Sequence, residues 1–246
     1  MAAALGKDYS VMLCGSARVG KSTLINAICG EEVAATSPSL DSCTKDVLCY
    51  PYRGRHADDY YHNTNYVVNF WDTPGFEDWS EGDFRPYFRL LLSRTNPICV
   101  IFCASPGSFA NMDNVKWLVE ECRNAKIFIA LVCTNMWASA KRKTVMDEFH
   151  KVLSQFEPFT ETKYGINFYQ DFALSIMVNS KEYVDEALDV YKQQQGVESL
   201  IWGVMQSLTD DKLIGWCLAV MKNRPFWTQW GHRIRSLFSK VFGIFG

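Results

Sequence analysis

Gly15-Ser16-Ala17-Arg18-Val19-Gly20-Lys21-Ser22 fits the pattern GxxxxGK[S/T], and the residues on either side of it decide the fold. Before it runs Tyr9 to Cys14 (YSVMLC), an apolar stretch of strand length; after it Lys21 to Cys29 places Leu24, Ile25 and Ile28 on one helical stripe, with Gly30 at the position of a C-cap. A strand feeding a glycine loop that opens a helix is the setting in which this pattern cradles phosphate. Gly15 and Gly20 let the backbone curl so that successive N–H groups face a β-phosphate, and the helix N-terminus adds its positive end. Lys21 supplies charge for the β- and γ-phosphates, Ser22 supplies a hydroxyl for Mg²⁺, and Thr23 continues the same turn.

Further apolar runs recur at Asp46–Tyr52, Tyr66–Asp72, Ile98–Ala104, Lys126–Thr134 and Phe172–Val178, with helix-like stretches at Met112–Asn124, Arg142–Phe156 and Gly196–Leu208. This alternation predicts a doubly wound α/β fold, a mostly parallel sheet flanked by helices. The runs at 98–104 and 126–134 are apolar throughout, as central strands buried on both faces require. Residues 53–65, rich in Tyr, His, Asp and Asn, read as a turn joining two antiparallel strands near an edge.

At 246 residues with 48% hydrophobic and 21% charged side chains, the chain has material for one generous core and is not of disordered composition. Its nine cysteines form no CxxC pair, and several lie inside strand-like runs, as expected of small buried hydrophobes in a reducing compartment. The opening MAAALGKDYS lacks the features of a secretory signal, and no apolar stretch approaches the roughly 20 residues that span a bilayer. The expected location is cytoplasmic. His56, His62, His150 and His232 match no metal-ligand spacing.

Asp72-Thr73-Pro74-Gly75 follows the run Tyr66 to Trp71, 51 residues after Lys21. A carboxylate at a strand tip beside the phosphate loop suits a Mg²⁺ shell, and Gly75 can offer its N–H to a γ-phosphate. With GxxxxGKS, this DTPG resembles the translation-factor class of P-loop GTPases, and within it the branch of septins, immunity-associated GTPases and chloroplast import receptors. The resemblance covers roughly residues 9–208. It implies GTP and GDP as ligands with Mg²⁺ held by Ser22, Thr44 and Asp72, and it makes Lys21, Thr44 and Gly75 the residues that act on the γ-phosphate. Thr44 stands in Ser42-Cys43-Thr44-Lys45, where the branch carries switch I. After DTPG comes Phe76, where many GTPases have a water-orienting Gln. The branch shares that departure and often completes its site by dimerising across the nucleotide face. The expectation is slow hydrolysis accelerated by a second protomer or partner, with Arg85 and Arg89 as candidates.

Guanine is normally read by an Asp in N/TKxD. After the run ending at Val132 the chain reads Cys133-Thr134-Asn135-Met136-Trp137-Ala138, which places either Trp137 or Ala138 at the Asp position. Trp137 offers either a stacking surface for a purine or a packing residue in a loop. Val178-Asn179-Ser180-Lys181 occupies the place of the family's last base-contacting loop, with Asn179 and Ser180 as base contacts. Guanine is the implied base, and adenine stays open.

The net charge of −2 hides an uneven distribution: residues 1–211 carry 19 basic and 27 acidic side chains, whereas Lys212 to Gly246 carries six basic and no acidic ones. On a helical wheel, Trp227, Trp230, Ile234, Leu237, Phe238, Val241, Phe242, Ile244 and Phe245 share one arc, and His232, Arg233, Arg235, Ser236, Ser239 and Lys240 the other. The chain divides into a nucleotide-binding domain at 1–210 and a helical appendage at 211–246. The appendage either lies on an anionic membrane through 227–246 or docks its apolar face on the domain or a second protomer. Nucleic acid is not expected, because aromatic and basic residues do not interleave. The leading function is a GTP-hydrolysing switch; a nucleotide-binding scaffold with negligible hydrolysis and an ATP-binding protein are the alternatives.

Overall fold

The structure, a computed structural model, describes residues 8–36, 47–55, 65–73, 81–108 and 111–242. In chain order the elements are β1 (Asp8–Gly15), α1 (Lys21–Cys29), β2 (Leu48–Arg55), β3 (Asn65–Asp72), α2 (Glu81–Thr95), β4 (Cys99–Ala104), α3 (Met112–Asn124), β5 (Phe128–Cys133) and α4 (Arg142–Leu153). They continue with β6 (Glu161–Lys163), β7 (Ile166–Tyr169), β8 (Ala173–Met177), β9 (Tyr183–Asp185), β10 (Val190–Lys192), α5 (Val197–Gln206), α6 (Asp210–Ala219) and α7 (Arg224–Phe242). Among the described residues, eight strands form one sheet in the order β2-β3-β1-β4-β5-β8-β7-β6, and β9 and β10 form a separate hairpin.

The five inner strands β3, β1, β4, β5 and β8 run parallel, while β2, β7 and β6 are antiparallel to their neighbours. The doubly wound α/β expectation holds. Each predicted strand is present, and β2 and β3 pair antiparallel at the sheet edge, while residues 56–64 of the turn expected between them lie outside the described residues. Pro51 sits in β2, where a residue without an N–H is tolerated because the strand is an edge.

Period-two alternation divides the core into two layers. Val11, Leu13, Ile101 and Cys103 face one side, which α1, α5, α6 and α7 cover. Met12, Cys14, Val100 and Phe102 face the other, under α2, α3 and α4. In α3 the spacing of Val115, Leu118, Val119 and Cys122 supplies the buried stripe, and Asn111 caps its start by accepting from the Asp113 N–H at 3.0 Å. α4 ends at Leu153, short of the expected Phe156, because 154–156 turn away.

The segment expected as an appendage packs on the first layer. Leu213, Trp216, Val220, Phe226, Trp230 and Ile234 are buried in the same cluster as β1 and α1. Trp216 donates its indole N–H to the Ile201 carbonyl at 3.1 Å, which ties α6 to α5. The turn between α6 and α7 closes over the end of α1: Asn223, 3% exposed, donates to the carbonyls of Ala27 at 2.9 Å and Ile28 at 3.0 Å, and its oxygen accepts from the Phe226 N–H at 3.1 Å. Those carbonyls belong to the last turn of α1, where no helical partner exists for them. Of the arc predicted for the tail, Trp230 and Ile234 are buried and Trp227, Leu237 and Phe238 are partly buried against the domain. No helix among the described residues is long and apolar enough to cross a membrane.

Candidate phosphate, metal and base site

β1, β3, β4, β5 and β8 all end on one edge of the sheet, and four of those ends lead into residues singled out above. Gly15–Ser22 follows β1, Asp72 and Thr73 close β3, Thr134–Trp137 follow β5, and Asn179–Ser180 follow β8. A crevice beyond the carboxyl ends of parallel strands is where open α/β sheets bind ligands.

Gly15 has φ +135° and passes so close to β4 that a Cβ would lie 2.0 Å from the Cys103 carbonyl oxygen, so no other residue fits. Arg18 at φ 61° and Gly20 at φ 87° turn the loop through left-handed conformations into α1. Ser16 and Val19 are buried, Ala17 is half-buried and Arg18 is exposed. Lys21, 6% exposed, curls back to donate to the Gly15 carbonyl at 3.3 Å and the Ser16 carbonyl at 3.1 Å. Ser22 and Thr23 follow, half-buried, in the first turn of α1.

Ser22 donates through Oγ to Asp72 Oδ2 at 2.7 Å. Asp72 is fully buried at the tip of β3, and its other oxygen has no hydrogen-bond partner among the described residues, with Lys21 Nζ 4.0 Å away. Burial pushes the Asp72 carboxyl above the ordinary carboxylate range, against the opposing pull of the Lys21 ammonium and the Ser22 hydroxyl. A buried carboxylate with one oxygen unpaired beside a buried ammonium and a hydroxyl is a donor set suited to Mg²⁺ and phosphate. The predicted Ser22 and Asp72 are thus brought together. Thr44, Gly75 and Phe76 lie outside the described residues.

On the base side, Thr134 is buried and donates through Oγ1 to the Val19 carbonyl at 2.6 Å, and its N–H bonds the Ala104 carbonyl at 2.8 Å. Asn135, at φ 48°, directs its amide to the same Val19 oxygen at 3.5 Å. Both residues therefore brace the phosphate loop. Trp137 is half-buried, with the Arg142 guanidinium 4.9 Å and Lys192 Nζ 5.4 Å from its ring centroid. Asn179, 4% exposed, exchanges backbone hydrogen bonds with Gln195 and donates its side-chain amide to the Lys181 carbonyl. Ser180 follows it, half-buried.

Three contributors are absent from the sequence reading. Arg142 bonds the carbonyls of Met136 and Ser139 and so shapes the Trp137 loop, and Lys192 arrives from β10. Asn26 of α1 accepts from the Val33 and Ala34 N–H groups at 2.8 and 2.7 Å and donates to the Ala34 carbonyl at 2.9 Å, fixing the exit from α1. Its mid-helix position gave no signal beyond a polar residue on an exposed face. Arg85 and Arg89 lie on α2 over the Trp117 ring of α3, and Arg89 forms a bidentate pair with Glu121 at 2.8 and 2.5 Å.

A family model described as 50S ribosome-binding GTPase matches residues 10–150 of the sequence. A comparison with curated proteins found no match. Among solved structures, Era in complex with MgGDPNP and nucleotides 1506–1542 of 16S ribosomal RNA is similar, with a TM-score of 0.51 and 15% identity over 83% of this chain and 58% of that one. Era from Aquifex aeolicus bound to GDP and AlF4⁻ gives 0.50 and 17% over the same shares. A structure of the chloroplast translocon components atToc33 and psToc159, for which dimerization is described as important for GTPase activity, gives 0.50 and 14% over 81% of this chain and 82% of that one. The chain spans 58% of the length of the Era chains it matches, and at these identities the likeness is one of fold.

Proposed function

The chain belongs to the 50S ribosome-binding GTPase family, and on that premise we propose that it is a guanine-nucleotide switch whose Gly15–Ser22 loop holds GTP or GDP with Mg²⁺ and which hydrolyses GTP slowly. The observation that carries the reading is the joined pair Ser22–Asp72, with an Asp72 oxygen that has no partner among the described residues beside the buried Lys21 ammonium.

Each residue has a defined task. The loop N–H groups and the start of α1 bind the phosphates, and Lys21 exchanges its bonds to the Gly15 and Ser16 carbonyls for phosphate oxygens. Ser22 and Asp72 hold the metal, which when bound neutralises charge developing on the transferred phosphoryl group. By family resemblance Thr44 and Gly75 complete the γ-phosphate contacts.

Phe76 stands where a water-orienting side chain is needed and has no polar atom to offer. Of the two candidate arginines on the following helix, Arg89 is committed to Glu121 and Arg85 donates to the Asn114 side chain, both within their own chain. Both observations support hydrolysis assisted from outside the chain, and we assign the help to a second copy across the nucleotide face, in the manner of the septin and import-receptor branch. The packing of α7 on the domain favours a terminal helix that completes the fold over one that lies on a membrane.

Calorimetric binding of GDP, a non-hydrolysable GTP analogue and the matching ATP analogue, with Mg²⁺, tests the site. The expected result is guanine binding that Lys21→Ala abolishes; equal ATP binding, or none of either, sinks the reading. Turnover per molecule that rises with protein concentration is expected for a dimer-assisted GTPase, whereas negligible turnover at every concentration would mean a nucleotide-binding scaffold.

A further inference from the structure

Among the described residues, six large hydrophobic side chains are well exposed, and five of them gather on two elements. Tyr87 and Leu90 lie on α2; Val184, Leu188 and Tyr191 lie on the β9–β10 hairpin, where Leu188 is 73% exposed. Scattered apolar residues on a surface need no account, whereas a group on one face marks a surface that meets a partner. In α2, Tyr87, Leu90 and Arg94 follow at steps of three and four and share a face turned away from the buried Phe88, Leu91 and Leu92. In the hairpin, Val184 and Tyr191 are direct cross-strand partners, so their side chains leave the same face.

The two faces are opposite in charge. Residues 85–95 contain Arg85, Arg89 and Arg94 and no acidic side chain, whereas residues 182–191 contain Glu182, Asp185, Glu186 and Asp189 and no basic one. Arg89 keeps 58% of its side chain exposed despite its pair with Glu121, and Arg94 and Glu186 are exposed as well. The faces also sit at matching places. Both elements spring from the carboxyl edge of the parallel strands, α2 after β3 and the hairpin after β8, with β1, β4 and β5 between them. Lys192 meets the Trp137 ring together with Arg142 of α4, which brings the root of the hairpin beside the helices of the layer that contains α2. When two copies meet by these edges, a two-fold axis normal to the sheet reverses the strand order between them and lays the hairpin of each toward α2 of the other.

We propose that the β9–β10 hairpin of one copy docks on α2 of a second copy, and reciprocally, with the apolar residues of the two faces in contact and the hairpin carboxylates facing Arg94. The inference rests on the second-copy reading given above and supplies that reading with a surface. The hairpin stands outside the main sheet, and two strands alone have little stability, so cover on its exposed side stabilises it. Because the contact occurs twice in a two-fold pair, each substitution in it acts twice on the affinity.

The test is sedimentation velocity of the full chain across a concentration series, with Mg²⁺ and either GDP or a non-hydrolysable GTP analogue. The expected result is a reversible dimer that salt weakens. Glu186→Lys and Arg94→Glu, both at exposed positions, are each expected to weaken association by about tenfold or more. Mixing the two variants is expected to restore it, since the exchanged charges then face each other in one contact and the native charges in the other. Leu188→Ser, which changes no charge, is expected to weaken it too. A chain that stays monomeric with either nucleotide bound overturns the proposal while leaving the nucleotide site intact, and so does a dimer that both charge reversals leave unchanged. A dimer held by these faces whose turnover per molecule is independent of concentration supports the contact and sinks only the reading of dimer-assisted hydrolysis.

Discussion

Trp230→Ala separates a terminal helix that belongs to the core from one that serves a membrane. Trp230 is 4% exposed on α7, stacked on Trp202 of α5 at 5.0 Å and 12°, and met by the edge of Tyr164 at 5.0 Å and 85°. The Arg233 guanidinium covers the cluster, 4.6 Å from the Tyr164 ring and 5.7 Å from Trp230. Truncating a buried tryptophan costs about 3–5 kcal/mol, with each of the two ring contacts contributing roughly 0.5–1.5 kcal/mol. Against a domain stability of about 5–15 kcal/mol this is a large share, and a urea midpoint falls by about 1 M or more. Equilibrium urea unfolding followed by far-UV circular dichroism reads it. A double-mutant cycle with Trp202→Ala is expected to show coupling of about 0.5–3 kcal/mol, since the rings touch. A loss below about 1 kcal/mol, with vesicle binding abolished by the same substitution, would refute the packing argument and return the helix to a membrane surface.

Gly15→Ala forces a methyl to within 2.0 Å of the Cys103 carbonyl, so both nucleotide affinity and thermal stability should fall sharply, whereas Gly231→Ala, facing open space, should be near neutral in the same thermal melts. Because burial raises the Asp72 carboxyl above 3.8, the folded metal-free protein holds that proton more tightly than the unfolded chain. Metal-free stability therefore declines as pH rises through the window just above 3.8, and Mg²⁺, which needs the ionised form, adds more stability as pH rises through it. Thermal melts with and without Mg-GDP should show this, and Asp72→Asn should flatten both profiles. Asn223→Ala leaves the Ala27 and Ile28 carbonyls without donors and the start of α7 without a cap, for a loss of about 2–4 kcal/mol in urea unfolding. Asn223→Asp is expected to be worse, because a carboxylate would face those carbonyls.

Much of the sheet was legible because its inner strands are buried on both faces and read as unbroken apolar runs, as in Cys99–Ala104 and Phe128–Cys133. The β6–β7 hairpin was not, because Glu161–Lys163 is exposed throughout and shows no alternation to read. Nor was the helix over Glu81–Thr95: Pro86 lies inside it and reads in the sequence as a helix breaker, and Tyr87 and Leu90 are exposed beside the buried Phe88, Leu91 and Leu92, which blurs the stripe. In the tail the amphipathic arc was visible but its partner was not. Periodicity says that Trp230 and Ile234 share a face, and is silent on whether that face meets lipid or the Trp202 ring.

The two halves of the site differ in the same way. The proposed phosphate site is written largely in contiguous residues, because one loop supplies the N–H groups, the ammonium and the hydroxyl, and Asp72 joins them from β3. In the proposed site the base meets residues that come from β5 and β8, so the residue types in Thr134–Ser139 disclosed a missing carboxylate without disclosing what replaces it. With Arg142 and Lys192 over its ring, Trp137 makes cation–π contacts of about 0.5–2 kcal/mol each, so part of the ring is already engaged within the chain. The proposed preference for guanine over adenine is therefore measured as a ratio of affinities, and a ratio unchanged in Trp137→Ala would leave Trp137 as a packing residue of its loop.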